Sequence, residues 1–288
     1  MCIRDRYMAF YTVIRGIRRY GLRAEQLTEE FWDYVMLGRG DPEEVSRKTG
    51  VPVEALEEIR REFDYWYPLD SRHSGKDLIP NHLTFFIYNH VAIFPEEKWP
   101  RQIVVNGWLL LQGHKMSKSL GNVIPLRIMA RVYGPDTVRA AVLLAAEVGQ
   151  DADFTDQLAE STLEQLRRLE QLITRLIELS RSAPQRPGAL TWADRWVLSR
   201  LQRHIERVTR GMEELRLRDA TNTVMYLMER DVRRYLDLVG EPGEPSRRGT
   251  VAWVLRKVVD AWIRMLSPIA PHLAEEPVSY THLTLPTN

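Results

Sequence analysis

Residues 101–122 read RQIVVNGWLLLQGHKMSKSLGN. Residues 101–111 are strand-like, and Asn106-Gly107 within them is a strong hairpin signal. The polar loop QGHKMSKSLGN comes next. Two short helices then follow, broken at Tyr133-Gly134-Pro135. Sheet, polar loop and helix in that order predict an α/β first part.

Working upstream, residues 64–80, DYWYPLDSRHSGKDLIP, are punctuated by proline and glycine and predict a strand into a loop, then a helix from Asn81 to Phe94. Before them lie four helical stretches. YMAFYTVIRGIRRY spans 7–20. Thr28 is placed to cap FWDYVML, Asp41-Pro42 opens the next helix, and Val51-Pro52 begins one running to about Phe63. Downstream of Asp151 the character changes. Helices are predicted over about 156–181, 192–215, 218–239 and 247–267. Val197, Leu201, Ile205, Val208, Met212 and Leu215 form one apolar stripe, and Val251, Leu255, Val258, Trp262 and Met265 form another. SAPQRPG and GEPGEPS are loops by composition. The expected fold is α/β and then all-α, ending in a helical bundle.

The ends depart from this pattern. MCIRDR (1–6) and VSYTHLTLPTN (278–288) look like translated adapter sequence and are expected to be foreign, Cys2 included. The last helix is expected to stop near Glu276, because Pro277 would break its ladder. That would leave an apolar strip around Trp262 and Leu266 exposed.

Composition bounds the function. Hydrophobic residues make up 44% of the 288, charged residues 27%, and net charge is +1, so overall charge announces no nucleic-acid partner. No apolar run approaches a membrane span, and no secretory signal is visible. With Cys2 the single cysteine, disulfide frameworks and cysteine-rich zinc sites are excluded, and a cytoplasmic setting is the default. No metal site is expected. Only six of the forty basic residues are lysines, and three of these, Lys76, Lys115 and Lys118, fall in two short motifs. Lysine presents a compact point charge where arginine presents a rigid fork, so that placement suggests the ammonium itself is needed.

Lys115-Met116-Ser117-Lys118-Ser119 spells KMSKS. In its setting after strands and before helices, the segment resembles the signature of the class I aminoacyl-tRNA synthetases. The resemblance implies amino-acid activation, in which ATP passes AMP to a carboxylate and expels pyrophosphate. Charge grows on the departing phosphates, and cations already aimed at it stabilise the transition state more than the ground state. Lys118 is the implied principal cation and Lys115 the second. Met116, Ser117 and Ser119 are ATP-binding by the same resemblance, the serines through their hydroxyls. A polar surface loop is the competing reading.

A second cluster, YPLDSRHSGKDL (67–78) with Asn81-His82, resembles the segment lining the adenosine and aminoacyl side of that site. Gly75 would let backbone approach a nucleotide, Asp77 would accept from ribose hydroxyls, and His82 would donate to the adenylate. The competing reading is local capping by Asp77 or Asn81. Both clusters are expected to face one nucleotide.

YMAFYT, EFWDYV, YPLDSRHSGKDLIPNHLTFF and VNGWLLLQGHKMSKSLGNVIPL resemble the archaeal/eukaryal type of leucyl-tRNA synthetase, and TWADRWVLSRL and LSPIAPHLAEE resemble its helical bundle. The resemblance covers about 7–276. For Tyr7–Thr12, core packing is favoured over a place near substrate. The implied domains are the C-terminal half of a Rossmann-like catalytic domain (7–125), a helical connecting region (126–185) and an anticodon-binding-type bundle (186–276), with 277–288 outside. Implied substrates and partners are ATP with Mg²⁺, leucine and tRNA(Leu). The family's His-Ile-Gly-His-type tetrad, its editing domain and its C-terminal tRNA-binding domain do not occur in this sequence, so the chain alone is expected to be inactive. Arg195, Arg200, Arg203, Arg207, Arg210, Arg216, Arg218, Arg230, Arg233 and Arg234 enrich the bundle surface, interleaved with acids. Two rival readings remain: a sister ligase for isoleucine, valine or methionine, and a non-catalytic RNA-binding protein derived from a synthetase.

Overall fold

The computed structural model describes residues 7–117, 119, 121–240 and 243–275. The chain divides into two compact units, Met1–Asn106 and Gly107–Asn288.

In the first unit α1 (Tyr7–Arg19) packs on α4 (Val53–Trp66), with α2 (Glu29–Trp32) and α3 (Pro42–Thr49) between them in sequence. Gly16 permits the close crossing, since a Cβ there would lie 2.4 Å from Cγ1 of Ile59. Asp41 caps α3 by accepting from the backbone N–H groups of Glu43 (3.0 Å) and Glu44 (3.1 Å), with proline following at the first helical position. Thr28 occupies the N-cap position of α2, but its hydroxyl donates to Glu30 at 2.7 Å and makes no cap bond. The core is Val13, Phe31, Val35, Val45, Val51, Ala55, Leu56, Ile59 and Phe63. A βαβ unit follows: β1 (Arg72–Gly75), α5 (Thr84–Ile93) and β2 (Ile103–Asn106), the strands parallel with Arg72 opposite Ile103 and Gly75 opposite Asn106. A crossover helix is what a parallel neighbour requires.

The second unit opens with β3 (Leu109–Leu111) and β4 (His114–Lys115), continues through α6 (Leu126–Tyr133) and α7 (Pro135–Ala145), and adds β5 (Ala152–Phe154). The strand order is β4-β3-β5, antiparallel then parallel. Asn106-Gly107 is therefore no hairpin, contrary to the sequence reading. The turn lies at Gln112-Gly113, where both φ angles are positive, 51° and 77°. Such a two-residue turn matches the strand twist. Gly107 answers a different need: a Cβ there would fall 2.2 Å from the Gln150 carbonyl oxygen. β5 went unforeseen because three residues carry too little period to stand out from a helical stretch.

The bundle comprises α8 (Asp156–Ser180), α9 (Trp192–Glu213), α10 (Leu217–Asn222), α11 (Met228–Val239) and α12 (Pro245–Leu266). A wide π-type turn, Thr223–Leu227, joins α10 to α11. Within it the carbonyls of Val224 and Met225 accept from Trp262 Nε1 (2.8 Å) and Gln165 Nε2 (2.6 Å), so backbone groups in a loosened ladder are satisfied by two other helices. Both apolar stripes face the core: Val197, Leu201, Val208, Val251, Leu255 and Val258 are buried. The expected exposed strip is absent, since Trp262 and Leu266 are both 0% exposed. Ile269, Ala270 and Ala274, in the turn and the helical residues 271–275, join the same core. The proposed foreign segments 1–6 and 277–288 lie outside the described residues. No helix among the described residues is long and apolar enough to cross a membrane.

Candidate functional site

The β3–β4 hairpin carries the KMSKS segment. It is tied to β5 through Gly113 N–H to Asp153 Oδ1 (2.9 Å) and Gln112 N–H to the Phe154 carbonyl (3.2 Å). Lys115 ends β4 with its side chain exposed, and its ammonium sits 3.6 Å from the centroid of the Trp108 ring. A cation on an indole face is held without being neutralised, so its charge remains available to an incoming anion. Beyond it, among the described residues, the Asn122 side chain closes the loop. Asn122 donates from Nδ2 to the Lys115 carbonyl (3.0 Å) and accepts at Oδ1 from Ser117 N–H (2.7 Å). Ser117 and Ser119 share a hydroxyl–hydroxyl bond of 2.7 Å. That bond uses one hydrogen of the pair and leaves lone pairs and a second hydrogen for a ligand. Met116 and Ser117 are half-buried, Ser119 is exposed, and Gly121 turns the chain at φ 66°. Lys118 lies outside the described residues.

The other cluster belongs to the first unit. Gly75 ends β1, and a Cβ there would come within 2.6 Å of Oδ1 of the exposed Asp77 side chain, which folds back over the glycine. Asp77 is exposed and lies within the short 3₁₀ turn Lys76–Leu78, while Lys76 is half-buried. His82 is buried in a π-type turn, Ile79–Leu83. Arg72 Nη2 lies 2.5 Å from His82 Nε2. A guanidinium only donates, so Nε2 accepts and the ring proton sits on Nδ1. Asn81 Oδ1 accepts from the His82 backbone N–H. The structure thus gathers Gly75, Asp77, Asn81 and His82 into one short stretch, and Lys115, Met116, Ser117 and Ser119 into another.

Three participants escaped sequence reading. Trp108 and Asn122 matter through contacts that turn geometry creates, and Arg72 through a partner ten residues away. The arginines separate into two sets. Arg200, Arg207, Arg216, Arg230 and Arg233 pair with Asp231, Asp219, Glu214, Asp231 and Glu229. Among the described residues Arg195, Arg203, Arg210, Arg218 and Arg234 are exposed and form no such ion pair.

A family model for the anticodon-binding domain of tRNA ligase matches residues 194–283, running into the stretch set apart above as foreign. One for class I tRNA synthetases (M) matches 53–176. Leucine–tRNA ligase of Pyrobaculum neutrophilum is 53% identical over 270 residues, 94% of this chain and 27% of that protein. Leucine–tRNA ligase 2 of Saccharolobus solfataricus is 47% identical over 271 residues, 94% of this chain and 28% of that protein. The chain thus spans about a quarter of the length of the curated relatives it matches. Among solved structures, Mycobacterium tuberculosis methionyl-tRNA synthetase with methionyl-adenylate superposes at TM-score 0.64 and 24% identity, over 78% of this chain and 48% of that one. The LeuRS–tRNA–LeuAMS ternary complex of Agrobacterium radiobacter K84 does so at TM-score 0.63 and 21% identity, over 88% of this chain and 30% of that one. These two show a shared fold. With about half its residues identical to leucine–tRNA ligases across 94% of its length, the chain belongs to the class I aminoacyl-tRNA synthetases and, within them, groups with the leucine–tRNA ligases.

Proposed function

We propose that this chain carries the part of a leucine–tRNA ligase that grips the ATP phosphates, together with the helical bundle that docks tRNA(Leu). The reaction joins leucine to ATP, releases pyrophosphate, and then passes leucine from leucyl-adenylate to tRNA with release of AMP. Mg²⁺ enters as part of the ATP substrate. Lys118 and Lys115 stabilise the charge that grows on the departing pyrophosphate. Ser117 and Ser119 offer hydroxyls to the phosphates, and Met116 belongs to the same ATP-binding loop. Gly75, Asp77 and His82 take the adenosine and aminoacyl side. Residues 7–125 act as half of the catalytic domain, 126–185 as connector and 186–276 as tRNA-docking bundle, in a cytoplasmic setting. Leucine codons differ in their first position, so docking reads tRNA shape and phosphates rather than an anticodon.

The observation that supports this reading is the KMSKS loop itself. It leaves β4 pinned at its base by Asn122, with Lys115 displayed on Trp108, in a chain 53% identical to a leucine–tRNA ligase. The test places Lys118→Ala in a leucine–tRNA ligase carrying these residues. Leucine-dependent pyrophosphate exchange is expected to fall by about 100-fold or more, with leucine affinity nearly unchanged. Equal losses in both would refute the transition-state role. The 288-residue chain alone is expected to show no exchange above its own Lys118→Ala control, since catalysis of this kind rests on joint positioning.

A further inference from the structure

Lys115 lies opposite Leu110 across the β3–β4 hairpin, and Asp153 of β5 lies opposite Leu110 on the other side. Side chains alternate along a strand, so Trp108, two residues before Leu110, rises on the face that Lys115 uses. The two are diagonal neighbours, a spacing that long and aromatic side chains can span. Here they meet closely, with the Lys115 ammonium 3.6 Å from the indole centroid. Lys257 over Trp253, neighbours on one helix, stands off at 5.6 Å.

Both partners are fixed at the backbone. Trp108 N–H donates to Asp151 Oδ1 (2.8 Å), and the Trp108 carbonyl accepts from Ala152 N–H (2.8 Å). The Lys115 carbonyl accepts from Asn122 Nδ2 (3.0 Å). The indole is half-buried and the lysine exposed. Asp151 and Asp153 each accept a backbone N–H, from Trp108 and Gly113. Among the described residues the Lys115 ammonium rests on a ring and pairs with no carboxylate. A carboxylate would set a negative charge beside the phosphates, whereas a ring holds the cation without one. Lysine's long stem loses rotamer freedom when it is fixed, so a side chain restricted beforehand has less to lose at the moment of reaction.

On the reading of KMSKS as the grip on the ATP phosphates, we infer that Trp108 is a positioning residue for leucine activation, its indole face directing the Lys115 ammonium to the pyrophosphate as it departs. Trp108 touches no reacting atom. It acts through Lys115, whose N–H groups turned away from the ring remain free to donate to phosphate oxygens. The KMSKS motif itself does not contain it, since it lies seven residues before Lys115.

Two measurements test it. In the 288-residue chain, NMR should find the Lys115 ε-protons shifted upfield by the indole ring current, and Trp108→Leu should abolish the shift. Unshifted protons in the unsubstituted chain would overturn the proposal. Activity is read in a chimera, the Pyrobaculum neutrophilum ligase carrying this chain's residues in place of its aligned ones, or in a graft of 107–122 alone should that chimera not fold. Trp108→Leu is expected to lower kcat of leucine-dependent pyrophosphate exchange by about 10-fold with KM for leucine unchanged, and Trp108→Phe, which keeps a ring face, to recover most of the loss. In a Lys115→Ala background the same Trp108→Leu change should cost less than about 2-fold, because the two residues act as one unit. A loss there as large as in the unsubstituted enzyme would mean that Trp108 only packs the hairpin, and would overturn the proposal. Fluorinated tryptophans placed at 108 keep the ring's shape while draining its face of negative charge, so kcat should fall stepwise with each added fluorine. A flat series would overturn the proposal, whatever Trp108→Leu does to the fold. Lys115→Ala without effect on exchange would sink the phosphate-grip reading and this proposal with it. An impaired Lys115→Ala enzyme with a flat fluorine series would sink the proposal alone.

Discussion

Asp194 at the start of α9 is fully buried and accepts from Arg247 (2.5 and 3.0 Å), Tyr235 OH (2.6 Å) and the Thr191 N–H and hydroxyl (both 2.8 Å). Burial alone would raise its pKa, but the bonds from Arg247, Tyr235 and Thr191 outweigh it and hold the carboxyl at about 2. Its folded value lies below the unfolded one near 3.9. The stabilisation is therefore complete above about pH 4 and drains away as pH falls from there towards 2. Asp194→Ala strands Arg247 and the Tyr235 hydroxyl, and should cost about 3 kcal/mol in urea unfolding at pH 7. His204 carries the opposite kind of sensitivity. Burial lowers its pKa, Asp231 at 2.8 Å pulls it back up, Arg200 and Arg207 lower it again, and the net direction is down. The fold thus prefers the neutral ring, and stability should decline as pH drops below about 6.5, the unfolded value, until the lower folded value is passed. In thermal melts between pH 7 and 5.5, His204→Gln should show a shallower loss than the unsubstituted chain. An unchanged slope would mean that other groups govern this range.

Among the elements, the β3–β4 hairpin sets the KMSKS loop, and two substitutions probe it. Gly113 sits at φ 77°, where a side chain is strained, so Gly113→Ala should destabilise by about 1 kcal/mol. Asn122→Ala removes both tethers of the loop base, and the Ser117 amide should then exchange with solvent markedly faster by mass spectrometry or NMR, while amides of α8 stay protected. This hairpin also shows where sequence reading succeeds and where it stops. The long helices of the bundle are legible because their stripes repeat over six or seven turns, and α3 because an aspartate, a proline and a glycine all mark its ends. The hairpin is misplaced because Asn106-Gly107 carries the stronger local signal. That glycine is there for the passing Gln150 backbone, a contact between residues 43 apart that no local pattern encodes. KMSKS is legible as a motif. Its tethering is not, because Asn122 reads as a turn residue until its amide is seen reaching both Lys115 and Ser117.

At the scale of the whole molecule, α8, α9, α11 and α12 share one continuous core, with Trp262 and Leu266 at its centre. Amides of 251–265 should accordingly be among the last to exchange, and Trp262→Ala should cost about 4 kcal/mol through loss of a fully buried indole. The π-type turn at Thr223–Leu227 has a consequence for how this core tolerates changes in chain length. Such a turn holds one residue more than an α-helical turn, so it accommodates an insertion without rotating the helix beyond it. Removing the half-exposed Tyr226 should let the turn relax to a regular α-helix. Tyr235 would keep its place beside Asp194, and Asp231 beside His204. Removing Glu206 from the uninterrupted α9 should instead rotate every later residue of that helix by about 100° and turn Val208 out of the core. Two single-residue deletions of equal size would then have opposite fates, one folding and one not, because only the first falls where the helix already carries a spare residue.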